Sequence, residues 1–342
     1  MKKVTAKEIA KQVGVSQATV SLVFHNKPGV SDEIRNKVLQ TAEAMGYAAE
    51  PRHGGNRLMQ MVVYKRHGRV ISDNPFIEIL IQGVAAQAAK LGYHLSVSYF
   101  YGDKDRKEQI KGICSLQSDG MILLSTEMEE SDFALFRDIT VPIVLLDNFS
   151  WDMNWDAVGI DNQRGVRNAI RYLIQCGHTR IGYLHSNVDI RNFRERQTGY
   201  MIGCKHLKEA MARDASKRIV NVNVDTEHAA SSMKEYLAAN PFLPSAFFAD
   251  NDHIAAGCCR ALVAAGYRIP EDVSVIGFDD APISVVAEPQ LTTMAVPKER
   301  MGALAVSRLA ERIQDPSLET IHIKVMPELV VRDSVLDLND WS

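Results

Sequence analysis

Several charged or amide side chains lie where short apolar segments of this sequence end. Asp147 closes the segment PIVLLD, Asn251 follows SAFFAD, and Asp279 lies at the end of VSVIGFDD. Arg196 lies in RERQTGY, shortly after RIGYLHS, and Phe76 lies in NPFIEI after an earlier apolar segment. Carboxylates accept hydrogen bonds, and a guanidinium donates them in a fixed geometry. Together these residues can bind a small molecule that carries several hydroxyl groups.

The sequence lacks the motifs of the common catalytic and metal centres. It contains no G-x-S-x-G elbow, no H-E-x-x-H and no Walker phosphate loop. Its five cysteines form no C-x-x-C pair, which argues against a zinc site or a dithiol redox centre. We therefore expect no enzymatic activity, no metal and no cofactor.

The first 46 residues contain three short helical patterns and no strand pattern. Thr5 and Glu8 form a capping-box pattern at the start of the first helix. Gly14 interrupts the pattern, Ser16 is placed to cap a second helix, and Ser31 is placed to cap a third. Two helices joined by a tight glycine-containing turn are typical of a helix-turn-helix unit that binds DNA.

The second of these helices carries side chains suited to reading DNA. Its amino end reads Ser16-Gln17-Ala18, and Ser21 follows one turn later. The amide of Gln17 can pair with adenine, and the methyl group of Ala18 can pack against thymine. The hydroxyls of Thr5, Ser16 and Ser21 can bond phosphates. We predict that these residues and Ser31 contact DNA.

Charge divides the chain into a basic head and an acidic remainder. Residues 1–70 contain twelve Lys or Arg and five Asp or Glu, whereas the whole chain has a net charge of -3. A basic head of this kind suits a polyanionic partner. No apolar segment approaches the roughly 20 residues of a membrane helix, and no signal peptide is apparent, so we expect a cytoplasmic protein without a membrane partner.

After residue 60 the pattern changes to alternating strands and helices. Such alternation predicts an α/β body with parallel sheets, and two successive series predict two lobes. We predict a DNA-binding domain over residues 1–46, a hinge linker over 47–59 and a body over 60–342. The predicted N-lobe comprises about 60–160 with 292–322, and the predicted C-lobe comprises about 161–291 with 323–333.

The chain resembles the lac repressor (LacI/GalR) family of bacterial transcriptional regulators from about Lys3 to Arg332. The headpiece pieces V-T-x-x-x-I-A, G-V-S-x-x-T-V-S and V-S-x-x-x-R-x-K-V occur in the family's order and spacing. The downstream segments NPFIEILIQGV, RQTGY, FADND, VSVIGFDD and LTTM are also similar to the family.

The resemblance implies a body with the two-lobed fold of periplasmic binding proteins and a homodimer that binds a near-palindromic operator. It implies polar effector contacts from Arg196, Asn251 and Asp279, a similar role for Asp147, and an apolar contact from Phe76.

Two segments depart from the family pattern. Leu22 stands where the family commonly has Arg, so it offers DNA an apolar contact in place of a guanine contact. The hinge reads His53-Gly54-Gly55-Asn56, which lacks the usual apolar wedge for the minor groove and includes two residues that disfavour a helix. Leu58 and Met59 are alternative candidates for the wedge.

We expect an effector-controlled, DNA-binding regulator, a repressor whose effector is a sugar or a sugar derivative. Two alternatives are a regulator driven mainly by a protein corepressor and a solute-binding protein for transport. Two other segments each allow two interpretations. The aromatic segment NFSWDMNW can stack on a ligand or pack on its own lobe, and the arginine-rich segment from Arg191 to Arg196 can bind an anionic effector or begin a solvated helix.

Overall fold

A computed structural model of the chain describes residues 5–24, 29–45, 57–72, 74–205, 214–239 and 243–341. Three helices form the headpiece: α1 (Ala6–Val13), α2 (Gln17–Phe24) and α3 (Asp32–Ala44). The predicted capping residues at the starts of α1 and α2 make capping hydrogen bonds. The carboxylate of Glu8 accepts hydrogen bonds from the backbone N–H (2.7 Å) and the hydroxyl (3.0 Å) of Thr5. The Ser16 hydroxyl accepts one from the backbone N–H of Thr19.

The headpiece helices pack on a small apolar core and turn at a glycine. Gly14 has φ +80°, a left-handed conformation that an L side chain rarely adopts. The core is shared by residues from all three helices, namely Ile9, Ala10, Val20, Val23, Val38 and Ala42. This packing holds α2 at a fixed angle to α1, as a helix-turn-helix requires.

The body consists of two six-stranded sheets with helices packed on both faces. The elements of the N-lobe in the first part of the chain are β1 (Leu58–Lys65), α4 (Pro75–Lys90), β2 (His94–Tyr101), α5 (Arg106–Ser115), β3 (Gly120–Leu124), α6 (Glu130–Phe133), β4 (Ile143–Leu146) and β5 (Asp156–Ile160). Those that follow in the C-lobe are α7 (Asn162–Gln175), β6 (Ile181–Ser186), α8 (Arg191–Cys204), β7 (Ile219–Val222), α9 (Thr226–Ala239), β8 (Ala246–Ala249), α10 (Asp252–Ala264), β9 (Ser274–Asp279), α11 (Ile283–Val286) and β10 (Thr292–Ala295).

The chain then returns to the N-lobe and ends in the C-lobe. These last elements are α12 (Lys298–Gln314), β11 (His322–Val325) and β12 (Glu328–Val330). The N-lobe sheet has the order β11-β5-β4-β3-β1-β2 and is parallel throughout, and the C-lobe sheet has the order β12-β10-β9-β8-β6-β7 with β12 antiparallel. The predicted α/β, two-lobed architecture is confirmed.

The structure corrects two predicted boundaries. Strand β10, predicted in the N-lobe, pairs with β9 and β12 in the C-lobe sheet, and residues 323–325 of β11, predicted in the C-lobe, pair with β5 in the N-lobe sheet. A local pattern identifies a strand, but only tertiary pairing decides which sheet the strand joins.

The predicted hinge linker ends too late, because β1 already begins at Leu58. Met59 is fully buried in that strand, paired with Leu95 and Gly120, so it cannot serve as the minor-groove wedge. Leu58 is held in the same strand, and its N–H donates to Asp119. The segment His53-Gly54-Gly55-Asn56 lies outside the described residues.

Candidate functional site

The carboxyl ends of the two sheets face one cleft, as is typical of open parallel sheets that bind ligands. The cleft brings together all five residues that the sequence singled out for a small molecule: Phe76, Asp147, Arg196, Asn251 and Asp279. The space left between them is about 20 Å³, which is room for a water molecule but not for a sugar. The lobes are therefore closed on each other.

Asp147 contributes a buried carboxyl group from the N-lobe. It follows β4 directly and has φ +65°, an uncommon conformation for a residue with a side chain. Its Oδ2 accepts the hydroxyl proton of Thr126 at 2.7 Å, while its buried Oδ1 accepts no hydrogen bond from the described residues. Burial raises the pKa of Asp147 to about 6, against the opposing effects of Thr126, Asn192 and Arg196.

Arg196 belongs to the C-lobe, and each nitrogen of its guanidinium donates a hydrogen bond. Its Nε donates to Asn162 Oδ1 at 3.0 Å, its Nη1 to the carbonyl of Asp250, and its Nη2 to Asp279 Oδ1 at 3.2 Å. Its guanidinium carbon lies 3.9 Å from the centroid of the Phe278 ring. Arg196 and Asp279 thus form an ion pair within the C-lobe.

The adjacent residues Asn251 and Asp252 have different roles at the start of α10. The side chain of Asn251 caps the helix, since its Oδ1 accepts from the N–H of Ile254 at 2.8 Å. Asp252 is buried and accepts from the N–H of Ala281 and the hydroxyl of Thr293. Burial raises the pKa of Asp252 to about 8. Asn251 lines the cleft, and its capping hydrogen bond to α10 fixes the orientation of its side chain.

The structure adds three polar residues that the sequence argument missed as part of the site. Asn162 is buried and joins Arg196 to Asn192, since its Oδ1 accepts from Arg196 and its Nδ2 donates to Asn192 Oδ1 at 2.9 Å. Asp161 caps α7. Asn192 in turn donates to the backbone carbonyl of Asp147 in the opposite lobe at 3.4 Å. Thr126 lies just beyond the end of β3, so the strand-end rule could have found it.

The headpiece presents the predicted DNA contacts on its surface. The side chains of Thr5, Ser16, Gln17, Ala18, Ser21 and Ser31 are exposed, and Leu22 is half-buried. Gln17 and Ala18 lie in the first turn of α2, the part of a recognition helix that meets base edges in a helix-turn-helix. Exposure allows these contacts, and the residue assignments remain predictions.

Both the headpiece and the body match known protein families. Residues 5–50 match the model of the bacterial regulatory proteins, lacI family, and residues 170–335 match a periplasmic binding protein-like domain. The ribose operon repressor of Escherichia coli (strain K12) is 31% identical over 334 residues, which are 96% of this chain and 99% of that protein. The chain belongs to the LacI family.

Further relatives agree with this assignment. The HTH-type transcriptional repressor PurR of Mannheimia succiniciproducens is 30% identical over 97% of this chain and 98% of its own length. The structure of the transcriptional regulator CelR in complex with cellobiose is 25% identical with a TM-score of 0.72, covering 97% of this chain and all of that one. The lac repressor dimer bound to operator has the same fold, with a TM-score of 0.69 at 21% identity over 98% of this chain and all of that one.

Membership of the LacI family establishes the general function of the chain. LacI-family proteins are DNA-binding transcriptional regulators and not enzymes, so the chain is a transcriptional regulator with a DNA-binding headpiece and an effector-binding body. Within the described ranges, no helix is long and apolar enough to cross a membrane.

Proposed function

We propose that this LacI-family repressor binds its operator as a homodimer in the cytoplasm and responds to a neutral, polyhydroxylated small molecule held in the cleft. The observation that carries the proposal is the convergence of Asp147, Arg196, Asn251 and Asp279 from distant parts of the chain on one inter-lobe cleft. Carboxylates that accept and a guanidinium that donates suit the hydroxyls of a sugar. Phe76 supplies an apolar face beside them.

The charges in the cleft favour a neutral effector over an anionic one. Asp147 and Asp279 both line the cleft, and Arg196, which lies among them, already pairs with Asp279. The other arginines of the arginine-rich segment are also engaged, since Arg191 packs on Phe149 and Arg194 pairs with Asp189 at 2.5 Å. Two of the relatives are named for or bound to sugars, ribose and cellobiose, which is consistent with a sugar effector.

On DNA, we assign base contacts to α2 and phosphate contacts to the surrounding hydroxyls. Gln17 pairs with an adenine, and Ala18 and Leu22 pack against thymine methyl groups. Thr5, Ser16, Ser21 and Ser31 contact phosphates, aided by the partial positive charge of helix N-termini.

Dimerisation is assigned to an apolar surface of the C-lobe. Val263 on α10 and Val286 on α11 are 52% and 77% exposed and line a shallow depression of about 510 Å³, and Val285, beside Val286 in the chain, is 48% exposed. Contiguous exposed apolar side chains of this kind mark interaction sites. A second copy of the chain provides the symmetric partner that a near-palindromic operator needs.

The test measures operator affinity of the full-length protein with and without sugars. An operator is first selected from random double-stranded DNA, and its binding is then titrated with D-ribose and cellobiose among a panel of neutral sugars and sugar phosphates. We expect a neutral sugar to change operator affinity, and Asp279→Ala to abolish that change while binding the operator as tightly as the unmodified protein.

Asp272→Ala is the matched control, because Asp272 lies in the same lobe in an exposed ion pair with Arg268. Failure to select any operator would contradict the DNA-binding proposal. A full sugar response in Asp279→Ala would remove Asp279 from the effector site.

A further inference from the structure

A cation from one lobe lies against two aromatic rings of the other at the edge of the cleft. The guanidinium carbon of Arg191, the first residue of α8 in the C-lobe, lies 3.7 Å from the centroid of the Phe149 ring in the N-lobe. It lies 5.5 Å from the Trp151 ring, and the two rings meet edge to face at 4.9 Å. The aromatic segment and the arginine-rich segment of the sequence thus meet each other across the cleft.

Glu130 organises both sides of this contact. Its Oε1 accepts hydrogen bonds from the backbone N–H groups of Trp151 (2.9 Å) and Asp152 (3.1 Å) and from the hydroxyl of Ser150. Its Oε2 is buried, accepts no hydrogen bond from the described residues and lies 3.7 Å from Arg191 Nη2. One carboxylate therefore shapes the aromatic loop and provides the counter-ion for the cation that packs on it.

Other contacts also cross between the lobes. Arg69 donates to Asn187 Oδ1 at 3.1 Å, and Val70 packs in a small buried cluster with C-lobe residues that include Ile190 and Phe193. Lys324 pairs with Glu195 at 3.7 Å. With all these contacts made, the two cavities of the cleft hold only about 20 Å³ each, so a sugar can enter only if the lobes separate.

We propose that Arg191, Phe149 and Glu130 form an inter-lobe clasp that holds the cleft shut, competes with the effector and so sets the effector concentration at which the repressor responds. A guanidinium on an aromatic face is favourable when both are partly desolvated, and separating the lobes breaks that contact. An effector must supply the free energy to break it, which lowers the apparent affinity in proportion to the open fraction. The competition with an effector rests on the proposed function, whereas the closure itself does not.

The closure is tested without any effector by the rate at which a cysteine in the cleft reacts with N-ethylmaleimide. Ile77 lines the cleft and is 5% exposed, so Ile77→Cys places a thiol that reacts only when the lobes open. Cys114, which is exposed, is changed to Ser in the same background. Labelling is run at reagent concentrations at which its rate is first order in reagent, the condition under which the labelling rate is proportional to the open population.

We expect Arg191→Ala and Phe149→Ala each to raise the labelling rate of the cleft cysteine about five- to thirtyfold, equivalent to about 1–2 kcal/mol. The double variant should raise the labelling rate by less than the product of the two single-variant factors, because both substitutions remove the same contact. Arg194→Ala is the matched control: it removes the same charge from the same helix, but Arg194 pairs with Asp189 within the C-lobe. We expect it to change the rate less than twofold.

Three results would overturn the clasp. The first is an unchanged labelling rate in Arg191→Ala, and the second is an equal increase in Arg194→Ala. The third is an equal increase in the labelling of Cys204, which is fully buried in the C-lobe and therefore reports global unfolding. Operator affinity of the same variants is measured in parallel, so that a failure of DNA binding is distinguished from a failure of the clasp.

Discussion

Replacing Asp147 by asparagine should make the protein more stable at neutral pH while removing a proposed effector contact. Asp147 is 2% exposed, and burial raises its pKa from 3.8 to about 6. Folding therefore disfavours the ionised form, and a rise of this size corresponds to a penalty of about 3 kcal/mol once the group is ionised in both states. That penalty is complete above about pH 7 and is relieved as the pH falls through 6 towards 4.

Asparagine is a close substitute for this carboxyl in shape and backbone preference. Its amide oxygen can still accept the Thr126 hydroxyl, and asparagine tolerates the left-handed φ of +65° at this position. We therefore expect Asp147→Asn to raise the free energy of unfolding by up to about 3 kcal/mol at pH 8 and by progressively less as the pH approaches 4. The response to effector should weaken, since the amide can no longer accept on both atoms.

The assay is urea unfolding of both proteins at pH 8, 6 and 4 and at one protein concentration, because a dimer's stability depends on concentration. Asp279→Asn is the comparison, because Asp279 pairs with the buried Arg196 and its loss should destabilise the protein at pH 8. The reasoning that the buried charge is the source of the penalty would be refuted in either of two cases. The free energy of unfolding of Asp147→Asn could exceed that of the unmodified protein by the same amount at every pH, or it could be lower at pH 8.

Three further predictions concern DNA and assembly. Gln17→Ala should relax discrimination at one base pair of each half-site by about 1–3 kcal/mol, measured with single-base operator variants, whereas Gln40→Ala on α3 should not. Operator affinity should fall steeply with salt, with a slope near -0.9 per phosphate contact, and a flat dependence would contradict phosphate binding. Val286→Asp should shift the protein from dimer to monomer in sedimentation and weaken operator binding, whereas Val97→Asp, also exposed, should leave the dimer intact.

The fold was largely predictable because local signals and global architecture agree. Thr5, Gly14 and Ser16 mark the ends of the first helices by capping and turn chemistry, which depends only on neighbouring residues. Strand and helix patterns predicted two parallel sheets, and strand ends predicted the polar residues of the cleft. The prediction was wrong for strand β10, because the sheet that this strand joins depends on partners that lie 16 residues away in β9 and 33 to 37 residues away in β12.

The sequence by itself determined the helix-turn-helix, the two-lobed body and the set of residues gathered at the cleft, because capping, periodicity and strand ends act over short distances. Only the tertiary structure decided which contacts those residues make with one another and with their neighbours. It showed that Arg196 and Asp279 pair within one lobe, that Asn162 joins Arg196 to Asn192, and that Arg191 packs on Phe149 across the cleft. These relations depend on the packing of segments that lie 30 to 83 residues apart, and no local pattern carries that information.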